Sequence, residues 1–274
     1  MTCPVCPHHC RLVEGGPLGR CRARRNVGGK SVPVGFARVT SLALDPIEKK
    51  PLAYFHPGSM VLSVGGAGCN MDCFFCQNDS ISCVSPEDVP TRELPPQELV
   101  EMAEELVPRG NIGAAFTYNE PLVCFEYVVE CAALLKQKGL KSVVVTNGNF
   151  CAEAMPGLFP LVDAYNIDLK GFTQGWYKRL GGDLPTVQRF IMAAAQGAHV
   201  ELTTLVVPGE NDTPGEMDAL ARWVASVNPD IPLHINRFFP RRNAREQSVT
   251  PVNTLYALQK VAQHHLNRVL VGNV

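Results

Sequence analysis

The sequence predicts an α/β fold of parallel strands, curled toward a barrel, with a small cysteine-rich segment in front of it. Three observations carry this expectation. From Met60 onward, short apolar runs alternate with amphipathic helical stretches, the pattern of a parallel sheet with crossover helices. Two of those runs have one polar face. In "NIDLK", Asn166, Asp168 and Lys170 alternate with Ile167 and Leu169, and in "LHINRF", His234 and Asn236 alternate with Leu233 and Ile235. Strands of a doubly wound sheet are apolar on both faces, so a polar face implies that the strands line a ligand cavity. Lastly, the loops after the first two strands carry the densest chemistry, which is where α/β barrels place their sites.

The elements follow in order. Residues 1–56 are rich in Cys, Arg, Gly and Pro and lack helical periodicity, so they read as a separate metal-binding segment, with the barrel spanning 57–274. "MVLSV" (60–64) is a buried strand. "PPQELVEMAEELVPRG" (95–110) is a helix begun by prolines and stopped by Pro108 and Gly110, with Leu99, Met102 and Leu106 as its apolar stripe. Strands at 112–117, 142–146 and 164–169 follow, the first two separated by a helix that Gly139 ends. Helices near 185–196, 214–226 and 251–265 precede strands at 199–207, 233–238 and 268–272.

Bulk properties narrow the function. A net charge of −1 with 19% charged residues argues against a general nucleic-acid or membrane-surface binder. No apolar run reaches the roughly 18 residues of a membrane span. The opening "MTCPVCPHHC" has no apolar signal region, so a cytoplasmic location is expected. The four arginines of "RCRARR" (20–25) read as a solvated basic face, or as steering for an acidic partner.

Cysteine is the outlier. Seven of eleven cysteines fall in two tight groups, and clustered cysteines in a long chain of this kind bind metal or do redox chemistry. Cys3, Cys6, Cys10 and Cys21 offer four thiolates, enough to close the coordination of a zinc ion or of a second, auxiliary [4Fe–4S] cluster. "GGAGCNMDCFFCQN" offers only three, Cys69, Cys73 and Cys76. Three thiolates can hold three irons of a [4Fe–4S] cluster and leave the fourth open to a ligand. The alternative is an electron-transfer cluster completed by Cys83 in a non-catalytic carrier or adaptor. Cys83, Cys124, Cys131 and Cys151 otherwise read as small buried hydrophobes.

The three-cysteine loop resembles the radical S-adenosylmethionine (SAM) motif, Cys-x3-Cys-x-aromatic-Cys, with Phe75 in the aromatic place. Further stretches, in order "CPVCPHHCRLVEGGPLGRCRARRN", "DPIEKKPLAYFHPGS", "GCNMDCFFCQNDSIS", "TYNEPLV", "VVTNGN", "NIDLKGF" and "TTLVVPGEND", are similar to the AmmeMemoRadiSam-system radical SAM enzymes, relatives of the pyruvate formate-lyase activating enzymes. The resemblance implies a partial (β/α)6 barrel and a [4Fe–4S] cluster whose open iron is chelated by SAM. It also implies reductive cleavage of SAM to a radical that abstracts hydrogen from a substrate. The cofactor would carry the chemistry and the protein would position and shield it.

Site roles implied by the resemblance are these. Asn119 and Glu120 hold the SAM amino group; Asn119, before Pro121, also reads as a helix N-cap. Asp168 and Lys170 approach the methionine part, with a simple ion pair as their alternative. Thr146 and Asn147 meet the methionine or ribose, and Phe75 lies against the adenine. Thr203 and Val206 pass the cofactor, and His234 is a cavity candidate. Val145 stands where activating enzymes often have an Asp, and Phe239 where relatives have a His. The expected substrate is a peptide, protein or small molecule, and a reducing partner such as flavodoxin or ferredoxin would supply the electron. Activation of a glycyl radical enzyme is the second reading. No membrane partner is expected, and a tRNA substrate, which would have to use the arginine runs at 20–25 and 237–245, is the weaker reading.

Overall fold

The structure is a computed structural model that describes residues 1–274. It opens with an antiparallel hairpin of β1 (Arg24–Val27) and β2 (Lys30–Pro33), followed by the two-residue strand β3 (Arg38–Val39). Next comes β4 (Ser41–Pro46), then β5 (Met60–Gly65), the short helix α1 (Asp79–Ser82) and β6 (Arg92–Glu93), which pairs β3. The rest alternates: α2 (Pro96–Glu105), β7 (Asn111–Phe116), α3 (Phe125–Gln137), β8 (Lys141–Thr146), α4 (Leu158–Leu161), β9 (Ala164–Asp168), α5 (Gln174–Arg179), α6 (Leu184–Ala194), β10 (His199–Val206), α7 (Pro214–Val227), β11 (Leu233–Arg237), α8 (Val252–Ala262) and β12 (Val269–Gly272). The polar starts of several helices are satisfied locally. Asp183, Thr173 and Thr213 each accept a backbone N–H of the first turn of α6, α5 and α7.

The main sheet has eight strands in the order β12-β11-β10-β9-β8-β7-β5-β4. From β5 to β12 every pairing is parallel and every crossover goes to the immediate neighbour. A doubly wound sheet reverses its order at a switch point. This one never reverses, so its right-handed crossovers keep the helices on one face. The other face is the concave interior of an open barrel whose edge strands, β4 and β12, do not pair. The α/β partial barrel expected from the alternating pattern is therefore what forms.

The N-terminal segment is less separate than the sequence suggested. Residues 41–46, expected to lie in it, form an edge strand of the main sheet, antiparallel to β5. Cys3, Val5, Cys6, Leu12, Cys21 and Ala23 belong to the same buried core as Val64, Phe116 and Tyr165. Further along, Ile47 and Leu52 pack with Val61, Ala115, Val143 and Ala164 in a second, smaller core. Small side chains at Ala115 and Ala164 leave the room that Ile47 and Leu52 fill.

The segment after Leu52 is tied to Glu201, whose side chain has no solvent exposure. Glu201 accepts the backbone N–H groups of Ala53 and Tyr54 and the ring nitrogens of His199 and His234. Asn166 Nδ2 donates to Pro51 O. Residues 47–55 thus form a floor across the barrel. The arginine run is only in part a solvated face: Arg20 is exposed and Arg22 half-buried, but the other two are engaged. Arg24 is buried and makes a bidentate pair with Glu126 of α3, at 2.6 and 3.0 Å, while Arg25 pairs with Glu87. A charge taken out of water needs such a partner, so this run fastens the hairpin to the barrel. No helix is long and apolar enough to cross a membrane.

Candidate active site

The cysteine loop leaves β5 through Gly65-Gly66-Ala67-Gly68. Gly68 has φ +91°, and a Cβ there would lie 2.7 Å from the carbonyl oxygen of Cys21, so no other residue fits. Asn119, after β7, pins the turn. Its Oδ1 accepts Gly66 N–H at 2.9 Å and its Nδ2 donates to Gly68 O at 3.1 Å. Two N–H groups reach Cys69 Sγ, the Met71 amide at 3.4 Å and Asn147 Nδ2 at 3.6 Å.

Cys69, Cys73 and Cys76 face one cavity of about 350 Å³. The expected residues Phe75, Asn119, Glu120, Thr146, Asn147, Asp168, Lys170 and Thr203 line the same cavity. Desolvation pushes the Cys69 thiol well up and the Cys73 thiol up to about 11. Binding a metal here would therefore release protons.

Glu120 is the hub of the opposite wall. Its Oε1 accepts Leu122 N–H at 3.1 Å and Thr146 Oγ1 at 2.8 Å, and its Oε2 accepts Asn147 N–H at 2.8 Å. Glu120, not Asn119, is therefore the side-chain cap of the 3₁₀ turn Pro121–Cys124, because the amide of Asn119 is spent on the glycine turn. Glu120 is only 3% exposed and has no cationic partner. Burial pushes its carboxyl up to about 7 despite the three donors. A carboxylate offers about four acceptor positions, so one remains for an ammonium.

Lys170 Nζ lies 2.8 Å from Asp168 Oδ2, the ion pair weighed as the simpler alternative. Burial works against the Lys170 charge, but the Asp168 carboxylate beside it raises its pKa well above the ordinary value. Asn166 and Thr203 hydrogen-bond each other at 2.9 Å on the adjoining strands. Phe75 stacks on Trp176 at 6.0 Å and meets Phe238 edge-on, so its ring is fixed.

Two expected residues lie elsewhere. His234 Nε2 donates to Glu201 Oε2 at 2.7 Å and belongs to the floor, because a buried carboxylate needs that partner. Val206 stands three residues from Thr203 on β10, hence on the opposite face, and is fully buried. Cys83 is near enough to Cys76 to feel its charge but is not in the cavity wall. The sequence reading missed Lys49, Lys50, Tyr118, Gln77 and Asn78, which line the cavity. Lys50 is buried against Asp45 at 2.9 Å, Tyr118 OH donates to Asp45 at 2.7 Å, and Lys50 lies over the Tyr118 ring. "DPIEKK" was the signal for this group; its place toward the floor of the cavity follows from β4 running antiparallel to β5, with Pro46 beside Met60.

The four N-terminal cysteines line a second, much smaller cavity of about 10 Å³ with Val5, Leu12 and Phe150. Asn70 lines it too. Asn70 Oδ1 accepts Asn147 Nδ2 at 2.9 Å, its Nδ2 donates to Asn149 O at 2.7 Å, and its carbonyl meets His8 Nε2 at 2.8 Å. One buried asparagine therefore stands between the two cysteine sets.

A three-thiol cavity at the mouth of an open parallel barrel points to a family. The family model described as "Radical SAM superfamily" matches residues 63–224. An uncharacterized protein of Methanocaldococcus jannaschii is 36% identical across 100% of this chain and 81% of its own length. The chain belongs to the radical SAM superfamily. The GTP 3′,8-cyclase of Pseudomonas syringae pv. syringae is 27% identical over 60% of this radical SAM chain and 49% of its own. Among solved structures, a radical SAM methyltransferase from Sphaerobacter thermophilus superposes with TM-score 0.59 at 16% identity, covering 80% of this chain and 67% of its own. Streptococcus suis SuiB gives 0.60 at 10% identity, covering 76% and 48%. These structures share the fold.

Membership implies a [4Fe–4S] cluster and SAM, and the residues present fit both. Three thiols face a cavity in which a buried carboxylate lacks a counter-ion, while Asp168 and Lys170 present both signs of charge to a zwitterion. The protein is thus a radical SAM enzyme that cleaves SAM.

Proposed function

We propose that this radical SAM enzyme abstracts hydrogen from a peptide or small-molecule substrate held above the cysteine loop. The observation that carries the reading is the meeting of Cys69, Cys73 and Cys76 with the cation-less carboxylate of Glu120 in one cavity. When bound, the cluster and SAM supply the electron transfer and the carbon radical. The chain's own residues do the positioning. Cys69, Cys73 and Cys76 hold three irons, and Glu120 takes the SAM ammonium. Lys170 takes its carboxylate, with Asp168 holding Lys170 in place and leaving one oxygen for a ribose hydroxyl. Thr146 and Asn147 fix Glu120, Asn119 shapes the loop, and Phe75 walls the adenine side. Thr203 and Asn166 set the depth of the cavity.

The N-terminal thiols hold a second metal, zinc or an auxiliary [4Fe–4S] cluster, and a flavodoxin or ferredoxin supplies the electron. SuiB has been crystallised with its precursor peptide SuiA, which supports a peptide as one substrate class. The test is anaerobic: cluster-loaded protein with dithionite and SAM is expected to release 5′-deoxyadenosine and methionine. Cys83→Ala is expected to keep that release. If loaded protein releases neither product, the enzyme reading falls; if Cys83→Ala destroys the cluster, the electron-carrier reading takes its place.

A further inference from the structure

Outside the cavity described above lies an open basin of about 560 Å³, and the two share Gln77 and Asn78 as a common wall. The basin is lined by Asp79, Arg241, Arg242 and Arg245 as well, with no apolar side chain other than Pro240. Its floor is built rather than incidental. Arg242 sits at φ +48°, a conformation that side chains other than glycine rarely adopt. It is held there by the cysteine loop itself. Arg242 Nη1 donates to Cys73 O at 2.8 Å, Arg242 Nη2 lies 2.8 Å from Asp72 Oδ1, and Asn243 N–H donates to Phe74 O at 2.8 Å.

Charge in the basin is not balanced. Asp72 answers Arg242, and Asp79 is the other carboxylate. Arg241 and Arg245 are exposed and take part in no ion pair. Guanidinium groups recognise phosphate and carboxylate through paired N–H···O bonds. An ordinary solvated basic surface would be convex and detached from the reaction cavity; this one is concave and adjoins it at Gln77 and Asn78.

We infer that Arg241, Arg242 and Arg245 form an oxyanion subsite, which holds a phosphate or carboxylate group of the substrate while the rest of that molecule reaches past Gln77 and Asn78 into the cavity. The inference rests on the hydrogen-abstraction reading for where the substrate reacts, but anion binding can be measured without it. Arg241 and Arg245 contact the anion, and Arg242 positions the turn against the cysteine loop while adding its own charge.

The test is calorimetric titration of the cluster-loaded protein with sodium phosphate and, separately, with disodium glutarate, at an ionic strength fixed with sodium chloride. Saturable binding of one or both is expected, and the preferred anion names the group, phosphoryl or carboxylate. The double variant Arg241→Gln/Arg245→Gln is expected to weaken that binding at least tenfold with its melting temperature and cluster absorbance unchanged. A charge-matched control, Arg109→Gln/Arg222→Gln, removes two arginines before β7 and on α7, away from the mouth, and is expected to bind as the wild type does. The inference is overturned if the wild type binds neither anion, or if the control pair weakens binding as much as the basin pair. Protein that binds anion but releases no 5′-deoxyadenosine would sink the enzyme reading and leave the basin standing; the reverse would remove the basin alone.

Discussion

The two cysteine sets use the same ligand atom in opposite surroundings. Cys3, Cys6 and Cys21 are at most 8% exposed and close on a cavity of about 10 Å³ among Val5, Leu12 and Phe150. Cys69, Cys73 and Cys76 are half-buried and open on about 350 Å³ of polar wall. Closed metal sites serve structure, and working ones keep a position free. On the proposed reading of both sets as metal sites, enclosure more than ligand type tells the two apart, with the half-buried Cys10 the least enclosed of the first set.

The strongest way to break that contrast is to remove one thiol from each set. Cys73→Ala is expected to reduce SAM cleavage to background while the melting temperature stays close to wild type. Cys6→Ala is expected to do the reverse in kind: it should lower stability by roughly 2–5 kcal/mol, through a core-buried ligand lost, and remove the N-terminal metal from elemental analysis. A Cys6→Ala protein with unaltered stability and metal content would erase the distinction.

Next in size is the open site's cation-less carboxylate. Glu120→Gln keeps a side chain that can accept hydrogen bonds but loses the charge. It is expected to cost about 1.5–3 kcal/mol of SAM affinity, roughly ten- to a hundredfold by calorimetry. Affinity equal to wild type would mean that the SAM ammonium lies elsewhere. A smaller effect tests how the two sets communicate. Asn70→Ala orphans the Asn149 carbonyl and the Asn147 amide, for about 1–3 kcal/mol of stability. It should also shift the electron paramagnetic resonance signal of the reduced loop cluster, because Asn147 reaches Cys69 Sγ. A spectrum identical to wild type would show that the sites are independent.

Much of this molecule was legible in its sequence. Strand–helix alternation and the polar faces of "NIDLK" and "LHINRF" gave the parallel barrel, because those strands face apolar helices on one side and a cavity on the other. Asp168, Lys170 and Glu120 were expected at the cavity from the motif resemblance, and they do stand in its wall. His234 was not, because its partner Glu201 is 33 residues away and a polar inward face looks the same whether it lines a cavity or a floor. Residues 41–55 were misplaced for a related reason. Their contacts with β5 and Glu201 are long-range, and a segment without periodicity carries no local sign of them. Arg24 likewise looked solvated because Glu126 lies 102 residues on.

The smallest predicted effect concerns the floor, which both cysteine sets leave alone. Burial opposes the Glu201 charge, but hydrogen bonds from His199, His234, Tyr54 and Ala53 outweigh it and hold its carboxyl down at about 2. A folded pKa below the unfolded value means that this stabilisation is complete above about pH 5 and is lost as pH falls toward 2. Melting temperatures followed from pH 6 to pH 3 should therefore fall less steeply in Glu201→Gln than in wild type. Parallel curves would show that Glu201 is not a source of the acid sensitivity.

The floor has a consequence for turnover order. Residues 47–55 and the Glu201 group shut the barrel at one end, so what occupies the cavity arrives and departs away from that end. Traffic through a dead-end street is sequential: spent fragments must clear before the next SAM can park, and they compete with it for the same kerb. Product inhibition by 5′-deoxyadenosine and methionine is then an expected outcome of the architecture, set by a stretch whose Lys49, Lys50 and Pro51 line the closed side of the cavity.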